Sequence, residues 1–397
     1  MCAAPSNGRA APGGWRRRLS RLVRGALARG VPDWPLGPPR RQVRAVIFKV
    51  DRIGDLVLAL GAIRLVLREW GEENCLLVVS AFAEELVARE FPRTPRLILP
   101  ASVGHRRLWS EAWKARRALR GISCDVALSL RHQRWDFDEL SLSWVRAKAV
   151  HVLEDVAGRG MVAEWRTYSL ARATRTIFQE EPPVAEPRPC RELRMHRQLL
   201  AVVLGRAVGQ DEVLPVMGPE GPAATGAVIL SPLGSNPLRD LPLDYLAAVL
   251  AVLRDAGRPA LLAGSASQSP RLADLVASLR ARGFDQVGQC SDLALADFIR
   301  ALAAAPLVVT TESAAAHLAT ALDRPTVVIL GGGHYGQFGP WWRSDRQIWL
   351  TKKMDCFGCN WRCIYPEPYC VTGLPLESLT EAVRRRLPER GAAGGLP

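Results

Sequence analysis

The sequence predicts an α/β protein built from two doubly wound domains that face each other across a cleft. Its 397 residues are too many for one ordinary core and suit two domains of roughly 150 residues each. Short apolar segments alternate with helix-like segments in two successive series, which indicates parallel sheets covered on both faces. Residues 181–189 and 215–226 are rich in proline or glycine and indicate the domain junction.

The N-terminal segment, residues 1–43, is predicted to be a basic leader that ends in a proline-rich linker. Residues 1–44 hold ten arginines and one acidic residue, and so supply +9 of the net charge of +14. Between Gly14 and Gly30, apolar residues recur at helical spacing, which is typical of a helix lying on an anionic membrane surface. The alternative is a poorly ordered arginine-rich leader. Neither a membrane span nor a secretory signal is visible, so we expect a cytoplasmic enzyme.

The first series of strands is assigned to an N-terminal domain over residues 44–205. The candidate strands are residues 45–50, 76–80, 96–99, 126–130 and 149–153. After the first strand, within VIFKVDRIGDLVLALGAIR, Gly54 allows a tight turn and Asp55 stands at a helix start. Asp55 either caps this helix or acts as a carboxylate base at the mouth of the cleft. The second interpretation contains a conflict, because a helix N-terminus stabilises a carboxylate and weakens it as a base.

The second series is assigned to a C-terminal domain over residues 225–385, followed by a flexible tail at 386–397. The candidate strands are residues 227–230, 260–263, 307–310 and 326–330. The turn after the first of them, within VILSPLGSNPLRDLP, places Gly234 before Ser235, Asn236 and Arg239. Backbone amides and an arginine in such a turn are suited to a diphosphate. A Gly-Ser turn with a surface arginine is also common without any ligand.

The most informative stretch is LVVTTESAAAHLATALDRPTVVILGGG, which reads as strand, tight turn, helix, turn and strand. Thr311, Glu312 and Ser313 lie where a parallel strand ends and a helix over 314–322 begins. Free N–H groups and the helix dipole favour an anion such as phosphate there. His317 lies one turn along the same helix face as Ser313. For a lone histidine, a structural role is the alternative.

The cysteines indicate reduced thiols with one cluster that is compatible with a metal. Nine is an odd number and five of the cysteines are scattered, which argues against a disulfide framework. The others are Cys356, Cys359, Cys363 and Cys370. Their spacing is compatible with structural zinc or iron but matches no standard finger, so free thiols and local disulfides stay as alternatives. The Asp-x-Asp pair at Asp136 and Asp138 is better explained by helix capping or a solvated face than by a divalent metal.

Together these segments resemble glycosyltransferase family 9, the bacterial ADP-heptose:lipopolysaccharide heptosyltransferase family. The resemblance extends from about residue 44 to 385 and rests on KVDRIGDLVLALGAIR, SPLGSNPLRDLPLDYL, TTESAAAHLATALDRPTVVILGG and the GPW at 339–341, in that order. The late cysteine cluster also looks like one seen in many members. The resemblance implies a GT-B fold of two Rossmann-like domains, transfer with inversion, and no essential divalent metal.

The resemblance also implies the reacting groups. Asp55 matches the proposed general base of the family, which deprotonates the acceptor hydroxyl. Arg239 falls where the family usually has a lysine, and keeps the charge that stabilises the departing diphosphate. We expect three further residues on the acceptor side of the site: Arg52, Gly54 and Arg131.

On the donor side, Ser313 and His317 match donor-binding positions of the family's DSGxxH motif. In this sequence Glu312 replaces the aspartate and Ala314 the glycine of that motif, which crowds the phosphate turn. Gln268 stands where heptosyltransferases often place a ribose-binding glutamate. The remaining predicted donor-binding residues are Ser235, Asn236 and Thr311.

We therefore expect an inverting glycosyltransferase that moves heptose, or a related sugar, from a nucleoside diphosphate, first of all ADP-heptose, to a glycolipid such as the lipopolysaccharide core. The expected location is cytoplasmic and peripheral, at the inner face of the inner membrane, with no nucleic-acid partner and no cofactor required for transfer. Alternatives are a family 9 transferase acting on protein or another surface glycan, and a non-catalytic nucleotide-sugar-binding protein. A dehydrogenase is disfavoured because no G-x-G-x-x-G follows the first strand.

Overall fold

A computed structural model describes residues 39–99, 108–131, 141–155, 174–178, 190–218 and 226–388, which form an α/β structure with two parallel sheets. The predicted leader helix, the Asp136 and Asp138 pair and residues 389–397 of the predicted tail lie outside these residues. Within them, no helix combines the length and the apolar character needed to cross a membrane.

In the described part of the chain, the first sheet has six parallel strands in the order β3-β2-β1-β4-β5-β6. They are β1 Arg41–Lys49, β2 Cys75–Ser80, β3 Arg96–Leu99, β4 Ile122–Ser129, β5 Arg146–Asp155 and β6 Thr174–Phe178. Each strand predicted in the first series is present, with ends shifted by at most four residues. The central strands are apolar because helices cover both faces; β2, for example, is buried at each of its positions.

The second sheet, counted over the same described residues, also has six parallel strands, in the order β12-β11-β10-β7-β8-β9. They are β7 Val228–Ser231, β8 Ala260–Ala263, β9 Val287–Cys290, β10 Val308–Thr311, β11 Thr326–Ile329 and β12 Gln347–Leu350. Each strand predicted in the second series is present, with ends shifted by at most one residue. The two sheets therefore share one strand order, that of Rossmann-like domains.

Three described strands, β6, β9 and β12, have no counterpart among the sequence predictions. Each lies at an edge of its sheet and pairs with one neighbouring strand. An edge strand is less completely covered than a central one, so its sequence need not be a continuous apolar run. VGQC of β9 and QIWL of β12 show this weaker pattern.

The described helices that pack on these sheets include two that meet between the domains. The full set of described helices is α1 Ile53–Trp70, α2 Glu84–Glu90, α3 Leu108–Arg120, α4 Arg191–Leu204, α5 Gln210–Val213, α6 Leu243–Asp255, α7 Ser269–Ala281, α8 Leu295–Ala304, α9 Ala314–Ala321, α10 Tyr369–Thr372 and α11 Leu376–Arg386. Helix α1 of the first domain packs against α9 of the second. Leu56 and Leu318 belong to the same buried apolar cluster, so the interface has its own hydrophobic core.

The start of α4 is bonded to the second domain. The backbone N–H groups of Arg191 and Glu192 donate to the carbonyls of Gly336 and Gln337, at 2.7 and 3.0 Å. The first N–H groups of a helix have no partner within the helix, so these bonds satisfy them. The segment that joins the two domains is thereby fixed to a loop beyond β11.

Candidate functional site

Four turns meet in the cleft, at the places where the strand order reverses. The order changes direction between β1 and β4 in the first sheet, and between β7 and β10 in the second. Turns at the carboxyl ends of such strands form ligand sites in doubly wound proteins. Asp55, Arg131, Arg239 and His317 follow these four strands in turn. Residues predicted from separate motifs are therefore brought into one place.

Gly54 and His317 are the point of contact between the two domains in this site. A methyl group placed on Gly54 would lie 3.1 Å from Cδ2 of His317 and 3.5 Å from Cα of Ala314. The backbone of Gly54 is not in the left-handed region, so the tight turn expected there does not use a conformation reserved for glycine. A side chain here would press on the histidine ring, which would have to shift to make room.

Asp55 lies in the first turn of α1 and is half-buried. The residue at the helix cap is the exposed Arg52, and no side chain caps this helix, so the alternative in which Asp55 is only a cap is wrong. Burial and the negative charges of Asp51 and Glu192 raise the pKa of Asp55 to about 6, although Lys49 and Arg131 act in the opposite direction. The predicted weakening of this base by the helix N-terminus is therefore outweighed.

A buried ion cluster lies beside Asp55. The ammonium of Lys49, 1% exposed, is 3.0 Å from Oδ2 of Asp51 and 3.2 Å from Oε1 of Glu192, and donates to the carbonyl of Leu130 at 3.1 Å. Burial alone would lower the pKa of Lys49, but Asp51, Glu192 and Asp55 raise it above its usual range. Glu192 was not predicted as a site residue, because it lies 143 positions from Lys49 in the chain.

Arg131, predicted on the acceptor side, is part of the same cluster. Its Nε lies 2.6 Å from Oδ1 of Asp51, and Nη1 donates to the carbonyl of Val50 at 3.2 Å. Asp51 thus has one oxygen on a lysine and the other on an arginine. This pairing fixes the turn that precedes Asp55. Arg52, by contrast, is exposed to solvent.

On the donor side, Arg239 connects the two phosphate-suited turns. Its Nη1 donates to the backbone carbonyl of Glu312 at 3.1 Å, and its Nη2 to Oγ of Ser235 at 3.0 Å. The hydroxyl of Thr311 in turn donates to the carbonyl of Arg239 at 2.6 Å. The guanidinium also lies 5.4 Å from the centre of the Trp361 ring, a cation–π distance. The planar guanidinium is therefore held in one orientation.

Three further predicted donor-binding side chains also have hydrogen bonds within the protein. Asn236 accepts from the backbone N–H of Leu238 at 3.1 Å, and so caps the short helix Pro237–Arg239. The hydroxyl of Ser313 lies 3.1 Å from that of Thr310. Gln268 accepts from the backbone N–H of Ser265 at 3.0 Å, and its amide N–H groups lie 3.3 Å from the carbonyls of the turn after β7. These side chains hold the turns in shape.

Glu312 is buried and its carboxylate has no hydrogen-bond donor within the described residues. Oε2 has no partner there, and Oε1 lies 3.6 Å from Nδ1 of His334. That nitrogen already accepts from Nε1 of Trp361 at 3.2 Å. An indole N–H can only donate, so Nδ1 carries the lone pair and has no proton for Glu312. Oε2 of Glu312 is therefore a buried acceptor that the described residues leave without a donor.

His317 is buried between tryptophans. Burial and the positive charge of Arg239 lower the pKa of His317 to about 4, so its ring is neutral near pH 7. Nε1 of Trp341 donates to Nδ1 of His317 at 3.0 Å. His317 is thus buried and also borders the cleft at Gly54, and its donor-binding role stays a prediction.

The cysteine segment, residues 356–370, packs on the glycines that follow β11. A methyl group on Gly331 or Gly333 would collide with the Trp361 ring, and one on Gly332 with Phe357. Only glycine allows this approach, which places Trp361 over Arg239. Trp361 is a site residue that the sequence did not reveal, since its motif carries no helical or strand periodicity.

The four clustered cysteines are free thiols in the described structure, and the local disulfides weighed as an alternative are not formed. Partial desolvation and neighbouring thiols raise the pKa of Cys356 and of Cys363, and Cys359 is hydrogen-bonded to both. Across the described residues, no group of three or more His, Cys, Asp or Glu is arranged to hold a metal ion. The zinc or iron site stays a prediction.

Comparison with known proteins agrees with this architecture. Residues 209–363 match the family described as glycosyltransferase family 9 (heptosyltransferase), which confirms the resemblance over that part of the chain. No curated protein matches the chain. Among the solved structures that are similar to it are three glycosyltransferases. Escherichia coli heptosyltransferase WaaC with ADP is 19% identical, with 87% of this chain and 100% of that chain covered and a TM-score of 0.63. A family 9 glycosyltransferase from Veillonella parvula is 12% identical, with 87% of this chain and 97% of that chain covered and a TM-score of 0.67. E. coli ADP-heptose lps heptosyltransferase II is 15% identical, with 87% of this chain and 98% of that chain covered and a TM-score of 0.61. The predicted GT-B fold is thereby confirmed.

Proposed function

We propose, from the match of residues 209–363 to the family described as glycosyltransferase family 9 (heptosyltransferase), that the chain is an inverting transferase. It moves heptose or a related sugar from a nucleoside diphosphate, with ADP-heptose as the first candidate, to a glycolipid resembling the lipopolysaccharide core. The observation that carries the proposal is the meeting of a carboxylate turn and a phosphate-suited turn from opposite domains, at Gly54 and His317.

Asp55 supplies the base for the reaction. Its carboxylate accepts the proton of the acceptor hydroxyl while that oxygen attacks the anomeric carbon of the donor. A pKa of about 6 leaves Asp55 largely ionised near pH 7 and makes it a stronger base than an ordinary aspartate. The cations of Lys49 and Arg131 are bound to Asp51 and hold the turn in position.

Arg239 and the turn amides stabilise the leaving group. The bond from the anomeric carbon to the diphosphate breaks as the new glycosidic bond forms on the opposite face, so the configuration inverts. Arg239 is fixed by the carbonyl of Glu312 and the hydroxyl of Ser235 and directs positive charge at the diphosphate. The amides at the start of α9 add to this field. These groups supply the charge that a divalent metal would supply, and we propose that transfer requires none.

Glu312 is suited to recognise the donor's sugar. Its carboxylate is buried and lacks a hydrogen-bond donor within the described residues. The backbone carbonyl of the same residue accepts a hydrogen bond from Arg239. Sugar hydroxyls are donors that would satisfy it. Glutamate in place of the aspartate of the family motif then keeps the carboxylate and extends it by one methylene. Because the acceptor group is retained, the replacement favours an active site over the non-catalytic alternative.

The acceptor and the location are inferred from charge. The net charge of +14 is concentrated in residues 1–44, and such segments bind anionic lipids. We place the protein in the cytoplasm, peripheral at the inner face of the inner membrane. Deleting residues 1–40 should reduce binding to anionic vesicles and spare activity on a soluble acceptor. Unchanged vesicle binding would contradict this placement.

A structural zinc or iron at the cysteine cluster is a separate proposal. It is supported by the reduced state of the thiols and by the contacts of Cys359 with Cys356 and Cys363. The thiols would have to approach one another further to share an ion. Elemental analysis of the purified protein and of Cys359→Ser would test it, with one equivalent of metal expected in the first and less in the second.

The main proposal is tested by calorimetry with nucleotide-sugars that differ in base and in sugar, followed by transfer assays. ADP-heptose is expected to bind and to be consumed with a lipopolysaccharide-core acceptor. Arg239→Ala is the control, because it removes the diphosphate contact and should weaken binding of every donor. Tight binding without turnover on glycolipid, protein or glycan acceptors would favour the non-catalytic alternative. Transfer to protein or to another glycan would change the acceptor and keep the enzyme class.

A further inference from the structure

His317 is held between two tryptophans that make different contacts with it. The ring of Trp341, which is fully buried, is nearly parallel to the His317 ring, with centroids 6.2 Å apart and 13° between the planes. Trp349 is at the same centroid distance but tilted by 40°. The Nε1–H of Trp341 donates to Nδ1 of His317, whereas Nε1 of Trp349 has no partner within the described residues. One indole therefore bonds to the imidazole and the other only packs on it.

The bond from Trp341 fixes the position of the proton on His317. An indole N–H is a donor and never an acceptor, so Nδ1 of His317 must present its lone pair. A neutral imidazole with a lone pair on Nδ1 carries its hydrogen on Nε2. Arg239 and burial disfavour a second proton, which agrees with this neutral form. The tautomer is thus set by a residue that lies 24 positions further along the chain.

The Nε2 edge of the ring faces the reaction cleft. Cδ2, the atom next to Nε2, borders Gly54 in the turn that carries Asp55. The bond to Trp341 is the one hydrogen bond of the His317 ring to the described residues. The Nε2–H is therefore free to donate to a ligand that lies between the carboxylate turn and Arg239. A neutral donor at this point differs from Arg239 because it adds direction without adding charge.

We propose that Trp341 is a positioning residue, whose N–H holds His317 as the Nε2–H tautomer and so presents a neutral hydrogen-bond donor to an oxygen of the nucleotide-sugar. The identity of the ligand rests on the proposed function, whereas the tautomer does not. Without the indole N–H, the imidazole would exchange between two tautomers, and only one of them can donate from Nε2. Part of the protein would then lack the donor that the substrate needs.

The tautomer is measured in the free protein by long-range ¹H–¹⁵N correlation on ¹⁵N-histidine-labelled material near pH 7. The chain has six histidines, and the signal of His317 is assigned by its loss in His317→Gln. We expect the wild-type protein to show the Nε2–H form alone. Trp341→Phe should give a mixture of both neutral forms. Trp349→Phe also removes an indole that packs on the His317 imidazole, but it removes no hydrogen bond, so it should keep the wild-type form.

Kinetics supply the second readout. Trp341→Phe is expected to raise KM for the donor by the inverse of the fraction that keeps the Nε2–H form, about twofold for an equal mixture, with a smaller effect on kcat. Trp349→Phe is expected to leave both constants at their wild-type values, because packing losses affect stability rather than the bond. Because the tautomer is read without substrate, its result stands whichever donor the enzyme uses.

Three results would overturn the proposal. One is a wild-type spectrum with the proton on Nδ1 or on both nitrogens, which requires no variant and is independent of folding. Another is a Trp341→Phe protein that keeps the pure Nε2–H form and the wild-type KM. The third is an equal rise of KM in Trp341→Phe and Trp349→Phe, which would assign the effect to packing.

Discussion

Replacing Asp55 with asparagine should stabilise the protein near neutral pH while nearly abolishing sugar transfer. The substitution keeps the size of the side chain and removes its charge. In the folded protein, burial and the charges of Asp51 and Glu192 oppose ionisation of Asp55, with a pKa of about 6 compared with 3.8 for an ordinary aspartate. The folded state therefore holds the base in its charged form at a cost that the unfolded chain does not have.

The magnitude follows from this difference in pKa. Above pH 6 the carboxylate is ionised in both states, and the cost to the free energy of unfolding is about 3 kcal/mol. Since Asp55 is half-buried, solvent screening reduces this figure, and we expect Asp55→Asn to gain between about 1 and 3 kcal/mol. Below pH 3.8 both states bind the proton, so the gain should disappear as the pH falls.

Urea unfolding at pH 7.5 and at pH 3.5 measures the effect as a shift of the midpoint at constant slope. Asp125→Asn is the control, because Asp125 is a surface carboxylate whose pKa is lowered by Lys148 and Arg44, and its removal should bring no gain. Turnover of Asp55→Asn should fall by about a hundredfold or more. A variant less stable than wild type at pH 7.5, or one with near-normal turnover, would refute the assignment of Asp55 as a strained base.

Three further predictions concern the same cleft. The value of kcat/KM should rise with pH through about 6 and then level off, because Asp55 must be ionised to accept a proton; a profile that is flat across this range would contradict the role. Gly54→Ala should press on His317 and cut turnover by about tenfold, whereas Gly218→Ala, which meets no neighbouring atom, should not; equal activity of the two variants would show that the contact is unimportant. In initial-rate assays, Arg239→Lys should keep transfer at about a tenth of the wild-type rate and Arg239→Ala should lose about a hundredfold. If the lysine variant were as impaired as the alanine variant, a positive charge alone would not support transfer at this position.

Much of the fold and part of the site follow from local sequence. Strands β1 and β10 are apolar runs that end in polar turns, so Asp55 and Ser313 can be placed at the carboxyl ends of strands without a structure. The polar turn after β7 locates Arg239 in the same way. Edge strands such as β9 escape prediction, because they are not covered on both faces and carry a weak apolar pattern.

The rest of the site depends on contacts between distant parts of the chain. Glu192 reaches Lys49 across 143 positions, and no periodicity marks it as different from other helical glutamates. Trp341 and Trp361 lie in segments with little regular structure, so their histidine partners are chosen by tertiary packing. The pKa of Asp55 also could not be predicted locally, since the helix terminus alone indicates a weaker base whereas buried neighbours raise the value.

The shared strand order of the two sheets has a consequence for how this protein can change in evolution. The turn after β1 and the turn after β7 occupy equivalent positions in two copies of one topology, and each belongs to a separate stretch of chain. If the proposed function holds, mutations that change the choice of nucleotide-sugar can accumulate in the second half of the gene while the half proposed to receive the acceptor is inherited unchanged. Exchange of whole halves between related enzymes would then generate new donor and acceptor pairings, provided that the glycine-to-histidine contact between the halves is preserved.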